Sequence, residues 1–314
     1  MGLAAWLAPA AAQAGASASS RGLCQAGQPM SAAQQDRRLR LVARIRHELQ
    51  ASGRRVALVW RSGLDLGRFG QRYSHAGVSL RDSANTPWSV RQLYYACSEE
   101  RPRLFDQGLA GFMLGADEQA EARVTLLLLP ADASTALAET ALDDRQALAL
   151  LGEDYSANAY AFSTRYQNCN QWVAELLAAA WGAGTDGKAP STREQAQAWL
   201  LDQGYEPHRF EALPWLYLAS VFVPLLHQAD HPEEDRIAAR YRVSMPSSLE
   251  AFVRAQLPGT ERIELCQDET RITVRRGWEP LGATCAPAAG DESLPLSEPA
   301  PPAATHEKAG PRPA

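Results

Sequence analysis

One cysteine of this sequence, Cys169, stands where a thiol nucleophile would be placed. It occurs in the run YQNCNQWVAELL, in which apolar residues recur at helical spacing and Asn168 is a candidate N-cap. This puts Cys169 in the first turn of a helix that ends at Gly182. The unpaired backbone N–H groups at a helix start favour a thiolate, and they can also stabilise the oxyanion of an attacked carbonyl. The pattern predicts a nucleophilic thiol directed at a neighbouring sheet.

A cysteine nucleophile needs a base, usually a histidine held by a third polar group. His75 is the strongest candidate because it lies in the strand-like run SHAGVSL, where alternation puts it on one face with Gly77. Gly77 leaves room there for a substrate or for the helix start. The orienting residue is expected on the following strand, WSVRQLYYAC. Gln92 is the first choice, Tyr94 shares its face, and Glu99 is a further candidate.

Less specific interpretations of these residues stay open. A single buried cysteine is more often a small apolar side chain than a nucleophile, and a single histidine in a strand is more often structural. Of the other histidines, His47 lies on a predicted surface helix, His208 stands alone, and two occur in the run HQADHPEE. His227 and His231 have the spacing of a metal-binding pair, but Pro232 interrupts the helix and no third ligand is fixed. We predict no metal and no cofactor.

The composition is that of an ordinary globular protein. The chain has 314 residues, of which 46% are hydrophobic and 21% charged, with a formal net charge of −5 and no basic stripe. This disfavours nucleic acid as a partner. Residues 1–20 are apolar and alanine-rich with A-x-A arrangements, and although no Lys or Arg precedes them we predict a signal peptide. The expected location is therefore the periplasm or another site of export.

The five cysteines also fit an oxidising compartment, where an odd number leaves one thiol unpaired. Cys266 and Cys285 flank a strand-like stretch and would close a hairpin-sized loop. Cys24 and Cys97 would then form the second disulfide, leaving Cys169 free. This connectivity is a hypothesis, because spacing alone does not determine it.

The elements predicted around these residues form an α+β fold. A small antiparallel sheet is expected to pack against the Cys169 helix, with helices between residues 191 and 256 and a C-terminal disulfide hairpin around it. Ser191 and Glu194 form a candidate capping box. The predicted strands are residues 56–60, 73–80, 88–97 and 124–129, and the predicted helices include 33–52 and 134–151.

Residues 212–226, ALPWLYLASVFVPLL, are the most apolar stretch after the signal. A run of this length with two prolines is too short to cross a bilayer, so we predict a buried core helix and no transmembrane segment after signal removal. A segment that covers the substrate or touches the membrane is the alternative. From about residue 286 the chain is rich in Pro and Ala without periodicity, which predicts a disordered tail over 286–314.

The order of the two chemical motifs resembles the circularly permuted branch of the papain-like NlpC-type superfamily, which includes lecithin retinol acyltransferase-like proteins. In that branch the histidine of an H-x-G-hydrophobic strand precedes an Asn-Cys pair that opens a helix. The matching segments here are SHAGV, with His75, and QNCNQWV, with Asn168 and Cys169. The resemblance implies a permuted papain-like fold. The acyltransferases carry a second histidine on the next strand, for which Gln92 or another polar residue would have to substitute.

The chain also resembles, from about Cys24 to Cys285, the bacterial family known as domain of unknown function 2145. The matching segments are RYSHAGVSL, WSVRQLYYAC, LFDQGLAGF and YSANAYAFSTRYQNCNQWVAELL. Membership implies no established activity. The expected organisation is a signal peptide over 1–20, a permuted papain-like domain with a C-terminal extension over 24–285, and the tail.

The predicted function is an exported thiol hydrolase or acyltransferase acting on an amide or ester of the cell envelope. Cys169 attacks the carbonyl, His75 transfers the thiol proton to the leaving group, Gln92 orients His75, and the Cys169 N–H helps to hold the oxyanion. A peptidoglycan peptide is one expected substrate, and a lipid is another if residues 212–226 guide an acyl chain. The alternatives are a non-catalytic envelope binding module on the same fold and a scaffold that acts through its tail.

Overall fold

The computed structural model describes Cys24 and residues 30–114, 121–183, 188–211 and 225–296. Its centre is an antiparallel sheet of eight strands in the order β10-β9-β8-β5-β1-β2-β3-β4. The strands are β1 (Val56–Arg61), β2 (His75–Leu80), β3 (Ser89–Ala96), β4 (Arg101–Gln107), β5 (Ala122–Leu128), β8 (Glu261–Gln267), β9 (Arg271–Arg276) and β10 (Glu292–Pro295). A separate two-stranded sheet pairs β6 (His208–Glu211) with β7 (Arg240–Val243).

Helices cover both faces of the large sheet. They are α1 (Ala32–Ala51), α2 (Leu109–Leu114), α3 (Ala131–Leu142), α4 (Asp144–Ala149), α5 (Cys169–Trp181), α6 (Arg193–Asp202), α7 (Glu233–Ile237) and α8 (Pro246–Gln256). On one face α3, α5, α6 and α8 share a core with Leu58, Trp60 and Ala76 of the central strands. On the other face α1 and α2 share a second core with Ala57 and Val59. Side chains of β1 therefore point alternately into the two cores, which explains why all of β1 is buried.

Helix α5 begins and ends where the sequence predicts. Asn168 is its N-cap, with the side-chain oxygen accepting a hydrogen bond of 2.8 Å from Gln171 N, and Gly182 is its C-cap. Residues 169–179 are all buried because α5 lies between the sheet and the helices outside it. Cys169 is thus the first residue of a helix that the core surrounds.

The α+β prediction is confirmed, and the four predicted strands are neighbours in the sheet, in the order β5-β1-β2-β3. The sheet is larger than predicted, because β4 extends one edge and β8, β9 and β10 extend the other. Pairing of β5 with β8 joins residues far apart in the sequence, such as Thr125 and Glu264. Local periodicity carries no signal for such pairing.

Both predicted disulfides are present. Cys24 is bonded to Cys97 and Cys266 to Cys285, and among the described cysteines Cys169 is the free thiol. The second bond links the end of β8 to the loop after β9, so the predicted C-terminal hairpin is part of the large sheet. Disulfides of this kind are typical of oxidising compartments. None of the helices in the described ranges combines the length and apolarity that a bilayer crossing needs.

Three details differ from the sequence predictions. The N-cap of α6 is Thr192 rather than Ser191, because the Thr192 side chain accepts from Gln195 N. The single helix predicted over 134–151 is two helices, since the Asp143 side chain caps a new helix start. Leu294 lies in β10, opposite Ile272, so this part of the predicted tail is a strand. Residues 1–20, 212–224 and 297–314 lie outside the described residues.

Candidate functional site

The Cys169 thiol lies against the first residues of β2. Its sulfur is 4.0 Å from the carbonyl oxygen of Ser74, and the backbone N–H of Ala76 is directed at it. The β2–β3 pairing starts only at Val78, opposite Arg91. From Val78 onward this side of the β2 backbone is hydrogen-bonded to β3. Before Val78 it has no partner among the described strands, and the sulfur lies there instead. The two backbone groups that it meets flank His75.

Burial dominates the protonation state of this thiol. Desolvation raises the pKa of Cys169 to about 11, against the opposing effects of the Ala76 N–H, the Arg61 guanidinium and the N–H groups of Asn170 and Cys169 itself. The resting side chain is thus a neutral thiol at pH 7. Because several N–H groups already converge there, an anion formed on a bound substrate would meet donors in place.

His75 and Gln92 are brought together as the alternation of adjacent strands predicts. His75 Nε2 is hydrogen-bonded to Gln92 Oε1, and Gln92 Nε2 donates to Gln107 Oε1 at 2.6 Å. In this amide orientation Gln92 accepts from His75, so Nε2 carries the proton and Nδ1 is the basic nitrogen. The ring also lies 5.2 Å from the Tyr94 ring and 6.0 Å from the Phe112 ring, measured between centroids.

The imidazole is neutral in this setting. Desolvation and the nearby Arg61 guanidinium lower the pKa of His75 to about 3, while the hydrogen bond to Gln92 opposes the shift. Thiol and imidazole are therefore both uncharged over the physiological range, which differs from a thiolate–imidazolium ion pair.

The thiol and the imidazole reach β2 from different sides. Cys169 shares a core with Ala76 and α5, whereas the His75 ring lies beside Phe112 of the opposite core. Within the described ranges no hydrogen bond joins Cys169 to His75; the thiol donates to Ser74 O and the imidazole contacts Gln92. The sequence predicted that the two groups work as a pair, and the resting structure forms no hydrogen bond between them. The reason is that α5 covers the Ala76 face of β2, which periodicity alone does not reveal.

A cavity of about 310 Å³ opens beside the thiol. Cys169, Ser74, Asn168 and Asn170 form its polar end. The remaining wall comes from the loop before β2, the loop before α5, the two-stranded sheet, the segment around Leu226 and the residue before α8. It is mostly apolar, formed by Leu64, Leu66, Phe69, Tyr155, Ala157, Phe210, Leu226, Tyr241, Val243 and Met245, with Arg68, Asn158 and Gln228 as its further polar members. Its volume is at the lower end of the roughly 300–1,000 Å³ typical of small-molecule pockets. The arrangement suits an apolar group whose polar end reaches the sulfur.

A buried carboxylate anchors the chain just before His75. Glu264 on β8 accepts hydrogen bonds from Tyr73 Oη at 2.6 Å, Arg72 at 3.2 Å, Arg262 at 3.0 Å and Leu281 N at 2.8 Å. Burial raises the pKa of Tyr73 well above its usual value, so the phenol stays a donor. The C-terminal hairpin thus fixes the approach to β2.

The other sequence candidates lie elsewhere. Glu99 pairs with Arg101 and Arg103 at the β3–β4 turn. His227 stacks on the Tyr166 ring at 4.5 Å, and His231 Nε2 lies 2.7 Å from Asn158 O.

Sequence reasoning missed four site residues: Gln107, Phe112, Arg61 and Tyr155. Gln107 and Phe112 occur in LFDQGLAGF, a segment selected for its family resemblance and without a chemical role attached. Arg61 directly follows an apolar run in the sequence, and a charged residue in that position was the available signal. In the structure it is 97% buried, which is unusual for a charged residue. Tyr155 lies in a loop whose position depends on long-range contacts.

Gly77 is expected to tolerate no side chain. A Cβ there would lie 2.4 Å from Val90 Cγ1 and 3.3 Å from Arg91 O, so Gly77→Ala should force β2 and β3 apart and cost about 1–3 kcal/mol of unfolding free energy. Gly282→Ala is the matched control, because nothing lies within 4 Å of its added Cβ. Chemical denaturation of both variants measures the difference, and equal stabilities would contradict this account of the close approach.

His75 is expected to make the protein sensitive to acid. Its pKa in the folded state, about 3, is below the usual 6.5, so between these values the unfolded chain binds the proton more readily. Stability should therefore fall as the pH drops below 6.5, by up to about 1.4 kcal/mol per pH unit from this group. Replacing His75 by Gln should reduce that slope in denaturation curves measured from pH 7 to 4. An equal slope in wild type and H75Q would refute the assignment.

Comparison with known protein families identifies the family of the chain. The family described as "Uncharacterized protein conserved in bacteria (DUF2145)" matches residues 48–253, which include β1 to β7, α5 and the whole thiol site. No curated protein and no solved structure matches the chain.

Proposed function

Because the chain belongs to the DUF2145 family of uncharacterized bacterial proteins, whose description carries no activity, we propose its function from the site alone. The protein is a thiol hydrolase or acyltransferase that uses Cys169 as nucleophile and His75 as base. The observation that carries the proposal is the free thiol at the start of α5, on the wall of an apolar cavity and against the backbone that carries His75. The fold proposed with it is the permuted papain-like one.

The proposed reaction passes through a thioester. His75 Nδ1 takes the thiol proton as Cys169 Sγ bonds to the carbonyl carbon, and the N–H groups at the start of α5 hold the oxyanion. The bond to the leaving oxygen or nitrogen then breaks, and His75 returns the proton to it. Water or an acceptor alcohol or amine releases the acyl group and restores the thiol. Gln92 keeps Nδ1 unprotonated by accepting from Nε2.

This mechanism requires the thiol to turn from Ser74 O towards the imidazole when substrate binds. Catalytic hydrogen bonds are often long or absent before substrate is present and tighten in the complex. The sulfur contacts the residues on both sides of His75, but the imidazole lies beside the opposite core, so both side chains have to turn towards each other.

The cavity favours an ester or amide whose acyl part is apolar. Ten of its lining residues are apolar or aromatic, against Arg68, Asn158 and Gln228 as polar groups beyond the four around the thiol, so we propose a lipid-like acyl group rather than a charged peptide. The two disulfides support an exported protein that meets such a substrate in the cell envelope.

The pH dependence of ester hydrolysis tests the proposal. With both partners neutral, kcat/KM for p-nitrophenyl octanoate should be flat between the two pKa values of about 3 and about 11, because His75 is a free base and Cys169 a thiol across that range. Measurements after correction for spontaneous hydrolysis, within the range in which the protein stays folded, check this. A rate that rises tenfold per pH unit would mean that a free thiolate reacts without His75 and would contradict the proposed base.

A second candidate function is binding of an apolar ligand without catalysis. The raised pKa of the thiol and the missing thiol–imidazole hydrogen bond favour it. It predicts that Cys169→Ala keeps the affinity for octanoate or an octanoyl amide and that the wild type releases no product.

A further inference from the structure

The loop of residues 152–168 leads directly into Cys169, and its carbonyl groups need hydrogen-bond partners. Arg193, at the start of α6, supplies several of them. Its Nη1 donates to Thr164 O at 2.6 Å, and its Nη2 donates to Tyr166 O at 2.9 Å and to Ser163 O at 3.3 Å. One guanidinium therefore holds three carbonyls within the last six residues before the nucleophile.

The same guanidinium is bound to the nucleophile's own helix. Arg193 Nε donates to Glu175 Oε2 at 2.9 Å and Nη2 to Oε1 at 3.2 Å. Glu175 lies in α5 and is fully buried, and Arg193 is 94% buried. Arg193 thus fixes the loop relative to α5, with Cys169 at their junction.

Two glutamines complete the network. Gln167 Nε2 donates to Glu175 Oε2 at 2.5 Å and to Leu150 O at 2.8 Å, while its Oε1 accepts from Gly152 N at 2.7 Å. Gln197 Nε2 donates to Glu175 Oε1 at 2.6 Å and to Ser163 O at 3.1 Å. Both carboxylate oxygens are therefore satisfied twice, and both ends of the loop are fixed.

Asn168 connects this hydrogen-bond network to Cys169. It follows Gln167 in the chain, caps α5 through Gln171 N, and donates through Nδ2 to Ala157 O at 3.3 Å. A shift of residues 163–167 would move the N-cap, and with it the N–H groups and the sulfur at the cavity wall.

We infer that Arg193 is a positioning residue that holds the Cys169 thiol in its buried place through the 163–168 loop. A role of Arg193 in catalysis rests on the proposed function, whereas its effect on the position of the thiol does not. A buried ion pair is weak as a source of stability, since desolvation offsets most of its attraction, and it is better suited to fixing one arrangement. Lysine cannot replace it, because a single ammonium lacks the planar fork that reaches three carbonyls and a carboxylate together.

The test compares the alkylation of Cys169 in Arg193→Lys and in Arg275→Lys. Arg275 is the matched control, because it makes two hydrogen bonds of 2.7 Å to Asp291 and one to Pro280 O in the C-terminal hairpin. Iodoacetamide is the probe, and modification is read by mass spectrometry at several pH values, at a temperature where each variant is folded by circular dichroism. Cys169→Ala gives the background, since the other four cysteines are disulfide-bonded.

In Arg193→Lys the loosened loop should admit water and lower the thiol pKa, so alkylation at pH 8 should be at least about tenfold faster than in wild type. Arg275→Lys should stay within about twofold of wild type even if it is less stable. Equal rates in all three proteins would show that Arg193 is merely structural and would overturn the inference.

Arg193→Met combined with Glu175→Leu covers the case in which Arg193→Lys does not fold, because replacing both partners of a buried ion pair by apolar side chains is often neutral or stabilising. It removes every bond from Arg193 to the loop and to α5, and it should accelerate alkylation in the same direction. An unchanged rate in that variant would then overturn the inference. Alkylation needs no turnover, so a positive result stands even if no ester is hydrolysed, and a negative one leaves the hydrolase proposal to its own tests.

Discussion

Replacing Cys169 by serine should reduce hydrolysis of p-nitrophenyl octanoate by at least about 10³-fold, the range expected when a nucleophile is lost. Serine has nearly the same shape, so cavity and fold should persist. Its hydroxyl is a far weaker acid than the thiol, so the same base produces far less of the nucleophilic anion from it. The measurement is initial rate against substrate concentration, with circular dichroism as the check on folding.

The control for this variant is Ala174→Ser, which adds the same hydroxyl to a buried position further along α5. It should retain most of the activity. If Cys169→Ser kept more than about a tenth of the wild-type rate, the nucleophile would have to lie elsewhere, and the binding function would become the better account.

Glu175→Gln should be among the most destabilising single substitutions in the protein. It leaves the buried Arg193 guanidinium without its counter-charge and replaces one acceptor oxygen by an amide N–H that faces other donors. Removing one partner of a buried pair typically costs about 3–5 kcal/mol. Urea denaturation at pH 7 measures the loss.

The comparison for Glu175 is Glu292→Gln. Glu292 also pairs with an arginine, Arg44, but its side chain is 43% exposed, and surface pairs contribute roughly 0–1 kcal/mol. A loss from Glu175→Gln no larger than that from Glu292→Gln would show that the network around α5 relaxes freely, and it would weaken the role given to Arg193.

Local signals explain what the sequence predicted well. Asn168, Cys169 and Gly182 mark a helix start and end within one short segment, and the structure places both there. The His75–Gln92 contact could be anticipated because alternation on two consecutive strands puts both side chains on one face. The disulfide hypothesis, which began from the short loop between Cys266 and Cys285, is confirmed for both bonds.

Tertiary relations explain what the sequence did not predict. Which face of β2 lies under α5 depends on how the whole sheet packs, so the separation of thiol and imidazole was not visible in the SHAG motif. The Arg193–Glu175 pair joins two helices, and neither residue stands out in its own segment. Pairing of β5 with β8 added three of the eight strands of the sheet without any local pattern to predict it.

The central claim, that Cys169 is acylated during turnover, is tested most directly by mass spectrometry of the protein quenched in acid during reaction with p-nitrophenyl octanoate. We predict up to one octanoyl group per chain, located on the peptide that carries Cys169, and p-nitrophenolate in at least an equal amount, because each completed turnover releases a further p-nitrophenolate. Release of p-nitrophenolate with no acyl group on Cys169, or the same acylation in Cys169→Ala, would contradict it.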